Sequence, residues 1–205
     1  MASRAYRARL ESISTVYQPE AVPWPTSLGE RTTVETLSVV LEEEIMSDPR
    51  EGGCACGAVR YRLTSEPLFT HCCHCLNCQR QTGSAFVINL LIEADRVELL
   101  AGDPQPVDVP RDDGSTQRIF RCQTCHVAVF SQYSRPEVRF VRGGTLDRPS
   151  SIEPDVHIFT RSKLPWITLP ESVPAFEVYY DTRALWPAAS LERLDAIMTS
   201  ADTDA

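Results

Sequence analysis

The sequence predicts a mainly β domain with short helical extensions at both ends. Three observations carry this. Short segments of alternating or β-branched residues recur between turn signals from about Ala58 to Val141. Helical periodicity is confined to the two ends of the chain. All eight cysteines fall between Cys54 and Cys125, in groups whose spacing suits metal-held cross-links within a small β domain.

Residues 1–49 read as an N-terminal extension. Pro19, Pro23 and Pro25 break structure, and Thr32-Thr33-Val34-Glu35 is a capping box for a short helix through Ile45. Met46-Ser47-Asp48-Pro49 looks like a fresh beginning, so the compact domain is placed at 50–181. In Gly52-Gly53-Cys54-Ala55-Cys56-Gly57 the glycines permit a tight turn around an ion. Ala58–Leu63 alternates as a strand, and Phe69-Thr70 leads into a cluster of cysteines and histidines. Ser84–Ile92 is rich in Phe, Val, Ile and Leu and reads as a buried strand. Val97–Leu100 is a strand turned at Gly102-Asp103-Pro104, and Val107–Val109 is another, with Asp112-Asp113-Gly114 as a hairpin turn. Arg118–Arg121, Val127–Phe130 and Val138–Val141 complete the strands, the last closed by Gly143-Gly144. Phe159 and Trp166 read as packing residues. Residues 182–205 form a C-terminal extension, in which Ser190 caps a helix with Leu191, Leu194, Ile197 and Met198 on one face.

Composition excludes several classes. Net charge is −8 and no basic stripe exists to neutralise phosphates, so nucleic acid is not an expected partner. No apolar run approaches the roughly 18 residues of a membrane span. Arg4, Arg7 and Arg9 are followed by no apolar stretch, so no secretory signal is expected. Without export the clustered thiols suit metal better than disulfides, and a cytoplasmic setting follows. Oligomeric state has no signature here.

The chemistry concentrates in His71-Cys72-Cys73-His74-Cys75-Leu76-Asn77-Cys78, four thiols and two imidazoles in eight residues. Thiolate and imidazole are preferred zinc ligands. Cys54, Cys56, Cys122 and Cys125 make a complete four-thiolate structural site whose halves lie far apart in sequence. In the central cluster, Cys72/Cys75/Cys78 and Cys73/Cys75/Cys78 both present three thiolates and leave a fourth position open. A fourth thiolate, or the imidazole of His71 or His74, would instead close it. An open site with three thiolates is a poor hydrolase centre, yet a thiol entering it loses its proton and becomes a nucleophile. That chemistry makes or breaks a carbon–sulfur bond. Cys122-Gln123-Thr124-Cys125-His126 also fits the attachment pattern of c-type haem, but that needs export and would strand Cys54 and Cys56.

Four stretches occur in order: Gly53-Cys54-Ala55-Cys56-Gly57, the run from Cys73 to Gly83, Cys122-x-x-Cys125, and His157-Ile158-Phe159-x-x-Ser162-Lys163-x-Pro165-Trp166. Together, over about 52–180, they resemble the glutathione-dependent formaldehyde-activating (GFA) family, to which centromere protein V is related. The resemblance implies a β-tent fold of small antiparallel sheets and two zinc ions per chain. It implies a structural zinc on Cys54, Cys56, Cys122 and Cys125, and a catalytic zinc on Cys73, Cys75 and Cys78, with Cys72 left without a role. It implies a carbon–sulfur lyase run in reverse, condensing formaldehyde with glutathione. One departure is His126, where the family commonly has Gly and a knuckle often needs positive φ.

Around this centre, Arg80 is a candidate to hold a glutathione carboxylate through a bidentate pair. Thr82 and Gly83 are placed at the border of the pocket. Lys163, the single Lys beside 19 Arg, and Trp166 are placed at its far wall. His74 is expected to point away from its ligating neighbours and His157 to be a structural histidine. The alternative to an enzyme is a non-catalytic binding module stapled by zinc with both sites closed. A redox thiol protein of the methionine sulfoxide reductase B type is disfavoured, because only Cys72 would remain off the metal.

Overall fold

The computed structural model describes residues 50–111 and 114–203. The capping box and helix expected over 32–45 lie outside these, as do the turn residues Asp112 and Asp113.

The described residues form two sheets. The smaller holds β1 (Arg50–Gly53), β2 (Arg60–Leu63) and β5 (Val97–Ala101), in the order β1-β2-β5. The larger holds β3 (Phe69–Cys73), β4 (Val87–Glu93), β6 (Gln105–Pro110), β7 (Thr116–Arg121), β8 (Ala128–Gln132), β9 (Val138–Arg142) and β10 (Val156–Ile158). Its order is β10-β3-β4-β9-β8-β7-β6. Every pairing is antiparallel except β10 on β3, which adds a parallel edge. Helix α1 (Leu76–Thr82) follows β3 directly, and α2 (Thr182–Leu185) and α3 (Ala188–Thr203) end the described chain.

Strand β4 shows why the middle of the larger sheet is buried on both faces, while β6 at its edge is exposed. Successive side chains point to opposite sides. Leu90 and Ile92, both fully buried, join Tyr61, Leu63, Val129 and Val141 in one apolar cluster. Val87 and Leu91 join Phe69, Val156, Ile158, Tyr180 and Trp186 in a second. Each such buried side chain contributes about 1.5–3 kcal/mol, and truncating Leu90 to Ala would cost about 2–5 kcal/mol. The second cluster is completed by Leu185, Leu191, Leu194 and Ile197 from α2 and α3. α3 is further tied to β4 by Arg193, which donates to the buried Glu93 carboxylate at 2.7 and 2.6 Å.

Helix α1 lies mid-chain, where periodicity predicts no helix. Two further details differ from the sequence reading. Gly52 and Gly53 lie in β1 rather than in a turn. A Cβ at Gly52 would sit 2.5 Å from the Thr145 carbonyl oxygen and 2.6 Å from the Tyr61 hydroxyl, so close approach requires the glycine. Ser190 lies inside α3, which begins at Ala188 just after Pro187, so it is not the cap. Proline at a helix start sacrifices no helical hydrogen bond, and the turn signal was Pro187.

Candidate metal centre

Two knuckles bring the first cysteine group together. Cys54 follows β1 of the smaller sheet, and Cys122 follows β7 of the larger, so the group ties the two sheets. In each knuckle the first Cys N–H donates across the turn: Cys54 N to Val59 O and Cys122 N to Val127 O, both at 3.0 Å. The residue after the second thiol has positive φ in both, 76° at Gly57 and 60° at His126. The sulfurs of Cys54, Cys56, Cys122 and Cys125 all lie within 4.8 Å of one another. Cys54–Cys56 and Cys56–Cys122 are 3.5 and 3.7 Å apart. Tetrahedral zinc with bonds of about 2.3 Å separates its sulfurs by about 3.8 Å. Backbone N–H groups of Val59 and Thr124 also point at Cys54 and Cys122, at 3.2 and 3.4 Å. The donor set fits a closed, structural zinc.

The second group is built by β3 running into α1. Cys73 ends the strand, Cys75 is the N-cap of α1 and Cys78 lies one turn into it. Cys75 Sγ accepts from the Cys78 N–H at 3.3 Å. The three sulfurs lie within 4.8 Å of one another, and among the described residues no fourth Cys, His, Asp or Glu joins them. Their protons are in conflict. Bonds from Cys73 and Cys78, then from backbone N–H groups, hold Cys75 well below the usual thiol range. The neighbouring sulfurs of Cys75 and Cys78, then burial, push Cys73 far up. Three close thiols, two of them buried, that cannot all ionise alone are a donor set a divalent cation would complete. Cys78 is also pushed up, to about 12: the Cys73 bond lowers it, but the Cys75 sulfur and burial outweigh that and the smaller pull of buried Arg142 on β9.

These sulfurs form part of the wall of a cavity of about 660 Å³, along with Arg80, Arg111, Arg161, Tyr133 and His71. Burial lowers the His71 pKa to about 4, so its ring is neutral, and its Nε2 lies 2.5 Å from the Tyr180 hydroxyl. Of the residues placed around the pocket from sequence, Arg80 lines this cavity, while Thr82, Gly83, Lys163 and Trp166 do not. Thr82 donates back to Cys78 O at 2.9 Å, and Gly83 caps α1 in the left-handed region at φ 63°. Lys163 Nζ donates to the carbonyls of Leu164 and Ile167, at 3.3 and 2.6 Å. Trp166 is 72% exposed.

Sequence reasoning missed Asn89, Tyr133, Arg111, Arg161 and Tyr179 in this cavity. Asn89 had a usable signal, a lone amide inside the apolar run Val87–Ile92. Gln79 was missed too. Its amide donates to His74 O and Ser162 O, at 2.8 and 2.9 Å, fastening the segment after β10 against the centre. His74 and Cys72 face away from the three sulfurs. With His157 they form a third group of converging ligand atoms.

The fold and these groups define a mainly β protein built on thiolate clusters of metal-binding geometry, one closed and one opening on a cavity. Residues 49–162 match the family described as "Glutathione-dependent formaldehyde-activating enzyme" (GFA), over half of the chain, and the protein belongs to that family. A Halomonas elongata protein named "Putative glutathione-dependent formaldehyde-activating enzyme" is 29% identical over 126 residues, 58% of this chain and 80% of that one. A crystal structure of a Rhodobacter sphaeroides protein has 21% identity and a TM-score of 0.38, covering 51% of this chain and 91% of the other. At that score the likeness carries nothing about fold. Among the described residues no helix is long and apolar enough to cross a membrane.

Proposed function

We propose that the chain is an enzyme of the carbon–sulfur lyase type that joins a small thiol to a small aldehyde, or cleaves the adduct, at the Cys73–Cys75–Cys78 wall of the cavity. The observation that carries this reading is three sulfurs converging on a cavity with no fourth such ligand among the described residues. A zinc ion held by Cys73, Cys75 and Cys78 would lower the pKa of an incoming thiol and so supply a thiolate nucleophile at neutral pH. A second zinc on Cys54, Cys56, Cys122 and Cys125 is structural.

The chain's own residues bind and protonate. Arg80, Arg111 and Arg161 give the cavity a positive lining that suits a thiol bearing carboxylates, glutathione above all. Addition forms one carbon–sulfur bond. The carbonyl oxygen takes up a proton in place of the one the thiol gave up, and nothing leaves. Tyr133 is the donor at that oxygen. Its own oxygen accepts from Gln117 Nε2 at 2.9 Å, which leaves its O–H free. Burial pushes the phenol up, so it stays protonated at neutral pH. All eight cysteines are free, which suits a reducing compartment such as the cytoplasm.

The test is exchange spectroscopy on thiol and ¹³C-formaldehyde mixtures with purified protein. Faster exchange between free aldehyde and adduct, lost in Cys73→Ala, is expected. Exchange at the uncatalysed rate with every thiol and aldehyde tried would leave a zinc-stapled binding module.

A further inference from the structure

Cys72, His74 and His157 converge on the side of β3 opposite the three-thiolate centre, and neither proposed zinc site uses them. All three are buried, with 3%, 0% and 7% exposure. Parallel pairing of β10 with β3 sets His157 beside Cys72. The two-residue step of extended backbone sets His74 on the same side as Cys72.

The three ligand atoms lie within 4.8 Å of one another. Cys72 Sγ is 3.6 Å from His74 Nε2, and His74 Nε2 is 3.1 Å from His157 Nδ1. Zinc bonds of about 2.3 Å to sulfur and 2.0–2.1 Å to nitrogen, at tetrahedral angles, place S and N about 3.6 Å apart and two nitrogens about 3.3 Å apart. Two edges of such a tetrahedron are already present.

Hydrogen bonding does not serve all three groups. His74 Nε2 has one lone pair or one proton in the ring plane, and two neighbours. If it accepts from His157, Cys72 has no acceptor there; if it donates to His157, Cys72 receives nothing. In every case the buried Nδ1 of His74 lacks a partner, so that atom does not separate the alternatives. A cation takes all three lone pairs at once. One thiolate and two imidazoles form a borderline-soft set that suits zinc.

We propose that Cys72, His74 and His157 form a third zinc site, independent of the catalytic proposal. It fastens the edge strand β10 to β3 and so fixes the wall that follows, where Phe159, Arg161 and Ser162 line the cavity.

The test is metal content by mass spectrometry after incubation with excess zinc and desalting, on wild type, Cys72→Ser, His157→Gln, Cys73→Ser and the double variant Cys72→Ser/Cys73→Ser. Circular dichroism checks the fold of each. The expected result is loss of one zinc equivalent in both Cys72→Ser and His157→Gln, in folded protein, and loss of a different, additive equivalent in Cys72→Ser/Cys73→Ser. Wild-type zinc content in folded Cys72→Ser and folded His157→Gln overturns the third site while leaving the three-thiolate centre intact. Should one variant fail to fold, the other decides.

Discussion

Cys72 and Cys73 are neighbours on β3 and serve opposite sides of it. Cys73 meets Cys75 and Cys78 at the cavity wall, whereas Cys72 meets His74 and His157. One strand thus divides two sets of metal-binding atoms, and the two-residue period of extended chain does the sorting. The division makes the consequences of substitution separable.

Cys54→Ala should unfold the domain, and Cys73→Ala should not. Structural zinc contributes on the order of 10 kcal/mol to folding in small zinc domains, comparable with the whole stability of a protein this size. The Cys54 group joins two sheets, whereas Cys73, Cys75 and Cys78 come from one strand and the helix after it. Far-ultraviolet circular dichroism with thermal melts distinguishes them. Cooperative melting in Cys54→Ala would contradict the assignment of that group as the staple.

His126→Gly should stabilise the protein by up to about 1 kcal/mol, since a side chain in the left-handed region costs about 1–2 kcal/mol and glycine's greater unfolded freedom offsets part of the gain. The position has φ 60°, and its hydrogen bonds are made by the backbone, its N–H donating to Cys122 O and its oxygen accepting from Arg121, both at 3.0 Å. Chemical denaturation measures this, and a loss of stability would show that the imidazole makes a compensating contact.

Tyr133→Phe should lower kcat by roughly 100- to 1,000-fold with little change in KM, the loss expected when one donor to a developing oxyanion is removed. Steady-state kinetics on the active thiol and aldehyde pair provides the check. An unchanged kcat would remove Tyr133 from the proposed proton path.

Arg161→Ala should raise KM by up to about fivefold for a thiol carrying carboxylates and leave an uncharged thiol unaffected, because an exposed guanidinium contributes at most about 1 kcal/mol to such a pair. Equal effects on both thiols would point to a packing defect instead.

Arg193→Ala should destabilise the fold by about 3 kcal/mol near neutral pH and by less as pH falls, because Glu93 is 5% exposed and would be left charged without its main partner. Burial works to raise the Glu93 pKa, but the Arg193 bond outweighs it and the carboxyl is held below its ordinary value. A depressed folded pKa gives stability that is present above the unfolded pKa near 4.5 and is lost as pH falls through the folded value. Without Arg193 burial dominates and lifts the folded pKa above the unfolded one, so in the variant Glu93 opposes folding when charged and the deficit against wild type narrows as pH falls. Thermal melts between about pH 3 and 7 test it.

Much of this was legible in the chain. β2 and β4 to β9 carry either alternation or a β-branched run, and the cysteine spacings mark the knuckles, but neither β3 nor helix α1 was legible, because the cysteines and histidines of Phe69–Cys78 mask any period. β10 was not legible, since Val156-His157-Ile158 is too short for a period to show and pairs with a strand far away in sequence. The same long-range pairing hid the meeting of Cys72 with His157. Lys163 and Trp166 were placed on the pocket by residue type. The chain instead turns the Lys163 ammonium onto carbonyls of its own loop. Arg111, Tyr133 and Arg161 sit in no distinctive local sequence, and only the closure of the sheet brings them to the cavity.

The most direct test replaces the bound metal with cobalt(II) and follows the sulfur-to-cobalt charge-transfer band while a small thiol is added. A thiol that enters the Cys73–Cys75–Cys78 centre should intensify and shift that band saturably in wild type, with no such change in Cys73→Ala. A spectrum unmoved by saturating thiol in wild type, with Cys73 metal present, would show that the centre has no place for a substrate sulfur.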